Sequence, residues 1–158
     1  MQGNPKVIAA LNEALKEELL AINQYFLHAE MCENWHYVKL SSHIKKESID
    51  EMKHAEALIE RILFLEGSPS LGEPLQVNIG GNVKAQLDND LKLELDAVAM
   101  YNRFVGLARD EGDNASRELF ERLLKDEEGH VDWLEAQVHQ IGELGYERYL
   151  SQQVRPQE

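Results

Sequence analysis

Ser48-Ile49-Asp50-Glu51-Met52-Lys53-His54-Ala55 places a carboxylate and an imidazole three positions apart, in a segment whose apolar residues Leu40, Ile44, Leu58, Ile62 and Leu65 recur with helical spacing. Residues three apart on a helix share a face, so Glu51 and His54 present an oxygen and a nitrogen toward one point. The device recurs as Glu127-Glu128-Gly129-His130, 76 positions on (51 to 127). Each Glu-x-x-His lies 33 positions after another glutamate, Glu18 (18 to 51) or Glu94 (94 to 127), that interrupts an apolar stripe. Taken singly, a Glu or His on an apolar face reads equally well as a hydrogen-bonded core residue, a device that sets the seam register, or a ligand. Four carboxylates and two imidazoles in matched register are tolerated in one core only if something cationic binds among them, because uncompensated buried charge is strongly unfavourable.

Four long segments carry the 3.6-residue period, and none carries the alternation of a half-buried strand. The first is lined by Leu11, Leu15, Glu18, Ile22, Tyr25 and Ala29, with Asn4 as N-cap and Pro5 at the first helical position. The second runs from Leu40 and stops at Gly67; the third reads Leu87, Leu91, Glu94, Val98, Tyr101, Val105, Ala108 and ends by Gly112. The fourth follows Asp113-Asn114 through Phe120, Leu123, Glu127, His130, Leu134, Val138 and Ile141, and Tyr146 to Leu150 predicts a short fifth helix. Short connections near residues 34–37 and at Gly112-Asp113 make each consecutive pair an antiparallel hairpin. A helix over 40–66 is about 40 Å long. The stretch from Gly67 to Gly81 has some 15 residues, enough to cover about 50 Å when extended. The expected fold is therefore all-α, a single domain over residues 1–158: a four-helix bundle with one long crossover between helices two and three, the connection of ferritin-like folds. The halves also repeat, since residues 15–25 (LKEELLAINQY) align without gaps on residues 91–101 (LKLELDAVAMY), as a duplicated hairpin would.

Charged residues make up 28% and hydrophobic ones 43%, which places the chain among soluble globular proteins. No apolar run approaches a membrane span and the N-terminus lacks a secretory layout, so a cytoplasmic location is expected. The single cysteine, Cys32, excludes an internal disulfide and cysteine-ligated zinc, and reads as a small core or surface residue. A formal charge of −13 repels phosphate backbones and concentrates cations. Acidity by itself serves solubility equally well.

Charge counting narrows the ligand of the six-residue cluster. Four carboxylates balance two divalent ions, and two trivalent ions bridged by oxide carry the same total, which suits a metal that cycles between both states. Oxygen-rich sets with one imidazole per ion fit iron or manganese better than zinc or copper. Glu plus Glu-x-x-His is the established pattern of di-iron carboxylate bundles.

These six residues, together with residues 21–28 (AINQYFLH), 48–55 (SIDEMKHA) and 60–67 (ERILFLEG), closely resemble bacterioferritins, and the similarity covers nearly the full chain. The second Glu-x-x-His, completed by His130, distinguishes them from ordinary ferritins. The resemblance implies iron storage and a ferroxidase centre of two iron ions per subunit, bridged by Glu51 and Glu127. Glu18 and His54 would complete one ion's shell, and Glu94 and His130 the other's. It further implies O2 or H2O2 as oxidant, a ferric mineral inside a homo-oligomeric shell of twenty-four subunits, and a small iron–sulfur ferredoxin as reductant for iron release. Met52 lies about 100° around the helix from Glu51, away from the metal seam. In the family, a methionine here pairs with its two-fold mate to ligate haem b between subunits; without that comparison it is equally a flexible filler of a dimer interface.

Three residues are expected as auxiliaries. Tyr25, seven after Glu18, either hydrogen-bonds a site carboxylate, supplies an electron or simply packs; Glu47 and Asp50 are placed to hold iron in transit. Trp133 is expected in the core. Lys45-Lys46 departs from the Tyr-His of many bacterioferritins, which puts an inner-surface auxiliary iron site in doubt and alters the surroundings of the haem. The rival function is a ferritin-like di-iron oxidoreductase, a peroxidase or oxygenase without a storage role. Rubredoxin-type cysteine pairs, which a rubrerythrin-like peroxidase would carry, do not occur. A DNA-coating mini-ferritin is disfavoured because no basic tail is present.

Overall fold

The computed structural model describes residues 1–156. Five helices follow in order: α1 Pro5–Asn34, α2 Val38–Phe64, α3 Val83–Asp110, α4 Asn114–Leu144 and α5 Tyr146–Ser151. No strand occurs among the described residues, and no helix is long and apolar enough to cross a membrane. Side-chain caps set three of the helix starts. Asn4 accepts from Lys6 N–H with Pro5 in the first turn, Asn82 accepts from Ala85 N–H, and Asp113 accepts from Ser116 N–H. Arg61 on α2 also donates to Asp113 at 2.8 Å, tying the second and fourth helices at that end.

The hairpin turns are short for a local reason. His36 takes a positive φ of 62°, which lets Tyr37 N–H reach back to Cys32 C=O at 2.9 Å. Gly112, at φ 73°, does the same between α3 and α4, with Asp113 N–H donating to Ala108 C=O. The α2 terminus falls at Phe64, three residues short of Gly67. The left-handed residue that ends it is Glu66, at φ 60°.

The crossover runs alongside α1 and is pinned to it at both ends. Near the start, Asn12 donates to Ser68 C=O and accepts from Ser70 N–H. Near the finish, Gln24 accepts from Asn78 N–H and His28 Nε2 accepts from Gly80 N–H, each at 3.0 Å. That acceptor role fixes the His28 tautomer, so its Nδ1–H donates to Asp90 at 2.9 Å, and Gln24 donates to the same carboxylate. Gly80 is required there, since a Cβ would lie 2.3 Å from Gln86 N.

Buried apolar side chains form two clusters. One holds Leu11, Leu15, Leu58, Ile62, Phe104, Phe120 and Leu123; the other holds Ala29, Cys32, Leu40, Ile44, Leu87, Leu134 and Tyr149. Along every long helix the charged residues lie between them: Glu18 after Leu15, Glu51 after Ile44, Glu94 after Leu87, Glu127 after Leu123. Helix α5 seals the second cluster, with Tyr149 fully buried and its hydroxyl donating to Gln137. Cys32 is wholly buried beside Gln86, and burial pushes its thiol up to about 12.

Candidate metal centre

All six residues converge at mid-bundle. His54 Nδ1 lies 3.0 Å from Glu127 Oε1, 3.2 Å from Glu51 Oε2 and 3.5 Å from Glu18 Oε1. His130 Nδ1 lies 2.8 Å from Glu51 Oε1, 3.3 Å from Glu94 Oε1 and 3.4 Å from Glu127 Oε2. Glu51 and Glu127 thus each turn one oxygen to each imidazole, while Glu18 meets only His54 and Glu94 only His130. Two four-residue sets result, Glu18/Glu51/His54/Glu127 and Glu51/Glu94/Glu127/His130, each with ligand atoms within 4.8 Å of one another.

Whether a metal fits is answered by the buried oxygens. Glu51 Oε1, Glu94 Oε2 and Glu127 Oε1 have no hydrogen-bond partner. Two of them sit within 3.0 Å of an imidazole nitrogen, but out of line with its N–H. Oxygens crowded around a point and left without a hydrogen-bond partner are arranged as ligands, because orphaned carboxylate oxygens in a dry core are otherwise costly.

Protons occupy this electrostatic role when no metal does. Burial, then the Glu127 charge, raises the Glu18 and Glu94 carboxyls well above the ordinary range. Burial also pushes Glu51 and Glu127 upward, but hydrogen bonds from the outer glutamates and both imidazoles outweigh it, and the two bridging positions end below the usual value. Burial alone would make the imidazoles less basic; the surrounding carboxylates instead raise both far above an ordinary histidine.

Tyr25, one of the expected auxiliaries, donates its hydroxyl to Glu94. Tyr101 does the same for Glu18, a role the sequence reading did not assign, although the internal repeat aligns the two tyrosines. Asp126 was also missed: its Oδ2 lies 3.1 Å from His54 Nε2 and holds the ring from behind. No sequence pattern marks it, because a half-exposed acid on α4 meets an α2 histidine only in the folded bundle. Among the described residues His130 Nε2 has no such partner, so the pseudo-symmetry of the six ligands does not extend to their supports.

The structure does not bring Glu47 and Asp50 into the cluster. Glu47 pairs with His43 at 2.8 Å, and Asp50 is held by Lys46 at 3.1 Å and Lys53 at 3.3 Å. Burial opposes ionisation of Asp50, but the two ammonium groups lower its pKa overall. Trp133 is half-buried rather than core, its ring stacked 3.8 Å from that of His43. Met52 is 54% exposed, with Ile49 and Phe26 about equally so.

The sequence profile of the ferritin-like domain matches residues 8–144. The chain is 48% identical over 149 residues to a bacterioferritin of Brucella melitensis, covering 94% of this chain and 92% of that one. It is 42% identical over 152 residues to a bacterioferritin of Mycolicibacterium paratuberculosis, covering 96% of both. A Streptomyces coelicolor bacterioferritin is 44% identical over 151 residues, covering 96% of this chain and 90% of its own. With a capped four-helix bundle, its long crossover and a mid-bundle Glu/His cage already in place, these relationships make the chain a member of the bacterioferritin family.

Proposed function

We propose that this protein stores and detoxifies iron as a ferroxidase, oxidising two Fe(II) per chain and passing Fe(III) to a mineral. The observation that carries the reading is the double engagement of Glu51 and Glu127, each turned toward both imidazoles, as bridging ligands of an ion pair would be. Glu18 and His54 then complete one ion's shell and Glu94 and His130 the other's. Dioxygen or peroxide accepts the electrons. The protein's part is to hold both ions at fixed spacing, to neutralise them with four carboxylates and to exclude bulk water with the two apolar clusters. Tyr25 and Tyr101 orient the outer carboxylates. The preference over a di-iron peroxidase or oxygenase comes from near-full-length likeness to proteins named bacterioferritin.

Storage requires an enclosing assembly, and the reading includes a homo-oligomer of twenty-four chains, about 430 kDa from 24 times 18.1 kDa. Met52 is placed to supply one thioether of a haem b site completed by a second copy. The donor type fits, and half-exposed Met52, Ile49 and Phe26 offer the apolar surroundings a macrocycle needs. When bound, haem would supply electron transfer for iron release, with a small ferredoxin as reductant. The protein is placed in the cytoplasm.

Anaerobic Fe(II) titration should find two sites per chain, and Glu94→Ala should slow stopped-flow Fe(II) oxidation at least tenfold while leaving the shell assembled. Absence of sites, or an unchanged rate in the variant, would exclude the proposal. The haem assignment has its own test: a Soret band on reconstitution that shifts in Met52→Leu.

A further inference from the structure

A cavity of about 610 Å³ opens between α2 and α4 directly over both metal-site histidines, lined by Asp50, Lys53, His54, Arg122, Lys125, Asp126, Gly129 and His130. Arg122, Lys125, Asp126 and Gly129 share one face of α4 by their i, i+3, i+4, i+7 spacing. The two acids of this wall are committed, Asp50 to Lys46 and Lys53, and Asp126 to His54. Arg122 and Lys125 have no acidic partner among the described residues, although the chain carries a net charge of −13. The floor adds a third donor. His130 faces the metal cage through Nδ1, which leaves Nε2 for the cavity it lines, without a hydrogen-bond partner among the described residues. Three donors without a protein partner among the described residues, two of them cationic, line one cavity in an otherwise acidic protein.

We propose that this cavity is a binding site for a tetrahedral oxyanion, inorganic phosphate, held by Arg122, Lys125 and the His130 Nε2–H with Lys53 at the rim. The planar guanidinium suits two phosphate oxygens at once, and the ammonium groups supply charge without geometric demand. The site lies on the opposite side of the cage from the narrow, carboxylate-lined gap formed by Glu17, Glu18, Leu93, Glu94 and Ala97 of α1 and α3. The two openings thus differ in sign: one offers only acids to an approaching cation, while the other offers donors to an anion. Phosphate bound here would meet Fe(III) as it leaves the centre and enter the mineral with it, a role that rests on the proposed ferroxidase function. Binding itself does not rest on it.

The test uses the metal-free full-length protein at low ionic strength, with inorganic phosphate followed by equilibrium dialysis and by the imidazole ¹⁵N resonances. Saturable binding of one phosphate per chain is expected, with a shift of the His130 Nε2 signal in the wild type. Arg122→Gln/Lys125→Gln should weaken it at least tenfold, about 1.4 kcal/mol. Lys84→Gln/Lys92→Gln, which removes equal charge from exposed positions on α3, should leave it within about twofold. No saturable binding, an unmoved His130 signal, or equal losses in both double variants would overturn the proposal. Because no iron is present, phosphate binding in a chain that fails to bind Fe(II) would defeat the ferroxidase reading alone.

Discussion

Loading the metal-free protein with two Fe(II) per chain under argon is expected to release about four protons at pH 6.5. The number follows from the groups in the cage. Without metal, both imidazoles and the Glu18 and Glu94 carboxyls are shifted upward while Glu51 and Glu127 are shifted downward, which favours a proton on each of the first four and none on the last two. Two positive and two negative charges cancel. After loading, four carboxylates balance two divalent ions and the imidazoles are neutral ligands, so the core is again without net charge. Passing between these states removes one proton from each of Glu18, Glu94, His54 and His130. The sign of the pH dependence is fixed by that exchange. The loaded form binds fewer protons, so metal affinity rises with pH. The overall constant for the pair should change by about four orders of magnitude per pH unit while all four groups stay protonated in the free protein. A weakly buffered titration with an indicator dye reads the release directly, and Co(II) serves as a redox-inert control. Release of one proton or none, or an affinity independent of pH between 6 and 7, would refute the charge assignment.

Other perturbations separate support from ligation. Asp126→Ala removes the group behind His54 and should weaken only the ion on that side, by about ten- to a hundredfold, splitting a calorimetric isotherm into two classes; an unsplit isotherm would show that Asp126 does not position the ring. Tyr25→Phe and Tyr101→Phe each remove a donor from a buried carboxyl and should lower the stability of the metal-free protein by about 1–3 kcal/mol apiece, read by chemical denaturation. Unequal losses would break the equivalence of the two halves. His28→Ala strands Gly80 N–H and leaves the Asp90 carboxylate with Gln24 as its side-chain donor, so limited proteolysis should cut residues 70–79 faster than in wild type while α1 stays intact. Equal cleavage rates would show that His28 does not pin the crossover.

The six cage residues were legible in the sequence because helical spacing converts an i, i+3 pattern into a shared face, and because the two halves carry it twice. Crossover length, hairpin turns and the fifth helix followed from the same periodicity. The remainder was not legible, mostly for tertiary reasons. Tyr101 was visible as a seam residue, but its hydroxyl role depends on Glu18 arriving from another helix. Asp126 and the His28–Asp90–Gly80 network join residues 72 and 62 or 52 positions apart with no local signature. The start of α3 at Val83, four residues before the first expected seam position, is set by the Asn82 cap, and Val83 joins Leu87 in the second cluster. Trp133 was placed in the core on its spacing from His130, yet it stacks on His43 at the edge of the bundle.

Cys32 gives the chain one further property. A thiol in an iron-storage protein faces two hazards, capture of the metal and progressive oxygenation, and both are favoured by the ionised form. With no solvent contact and a proton held until about pH 12, this thiol offers neither reaction a foothold. The chain's single sulfhydryl is thereby kept out of metal capture and oxidation by its place in the packing.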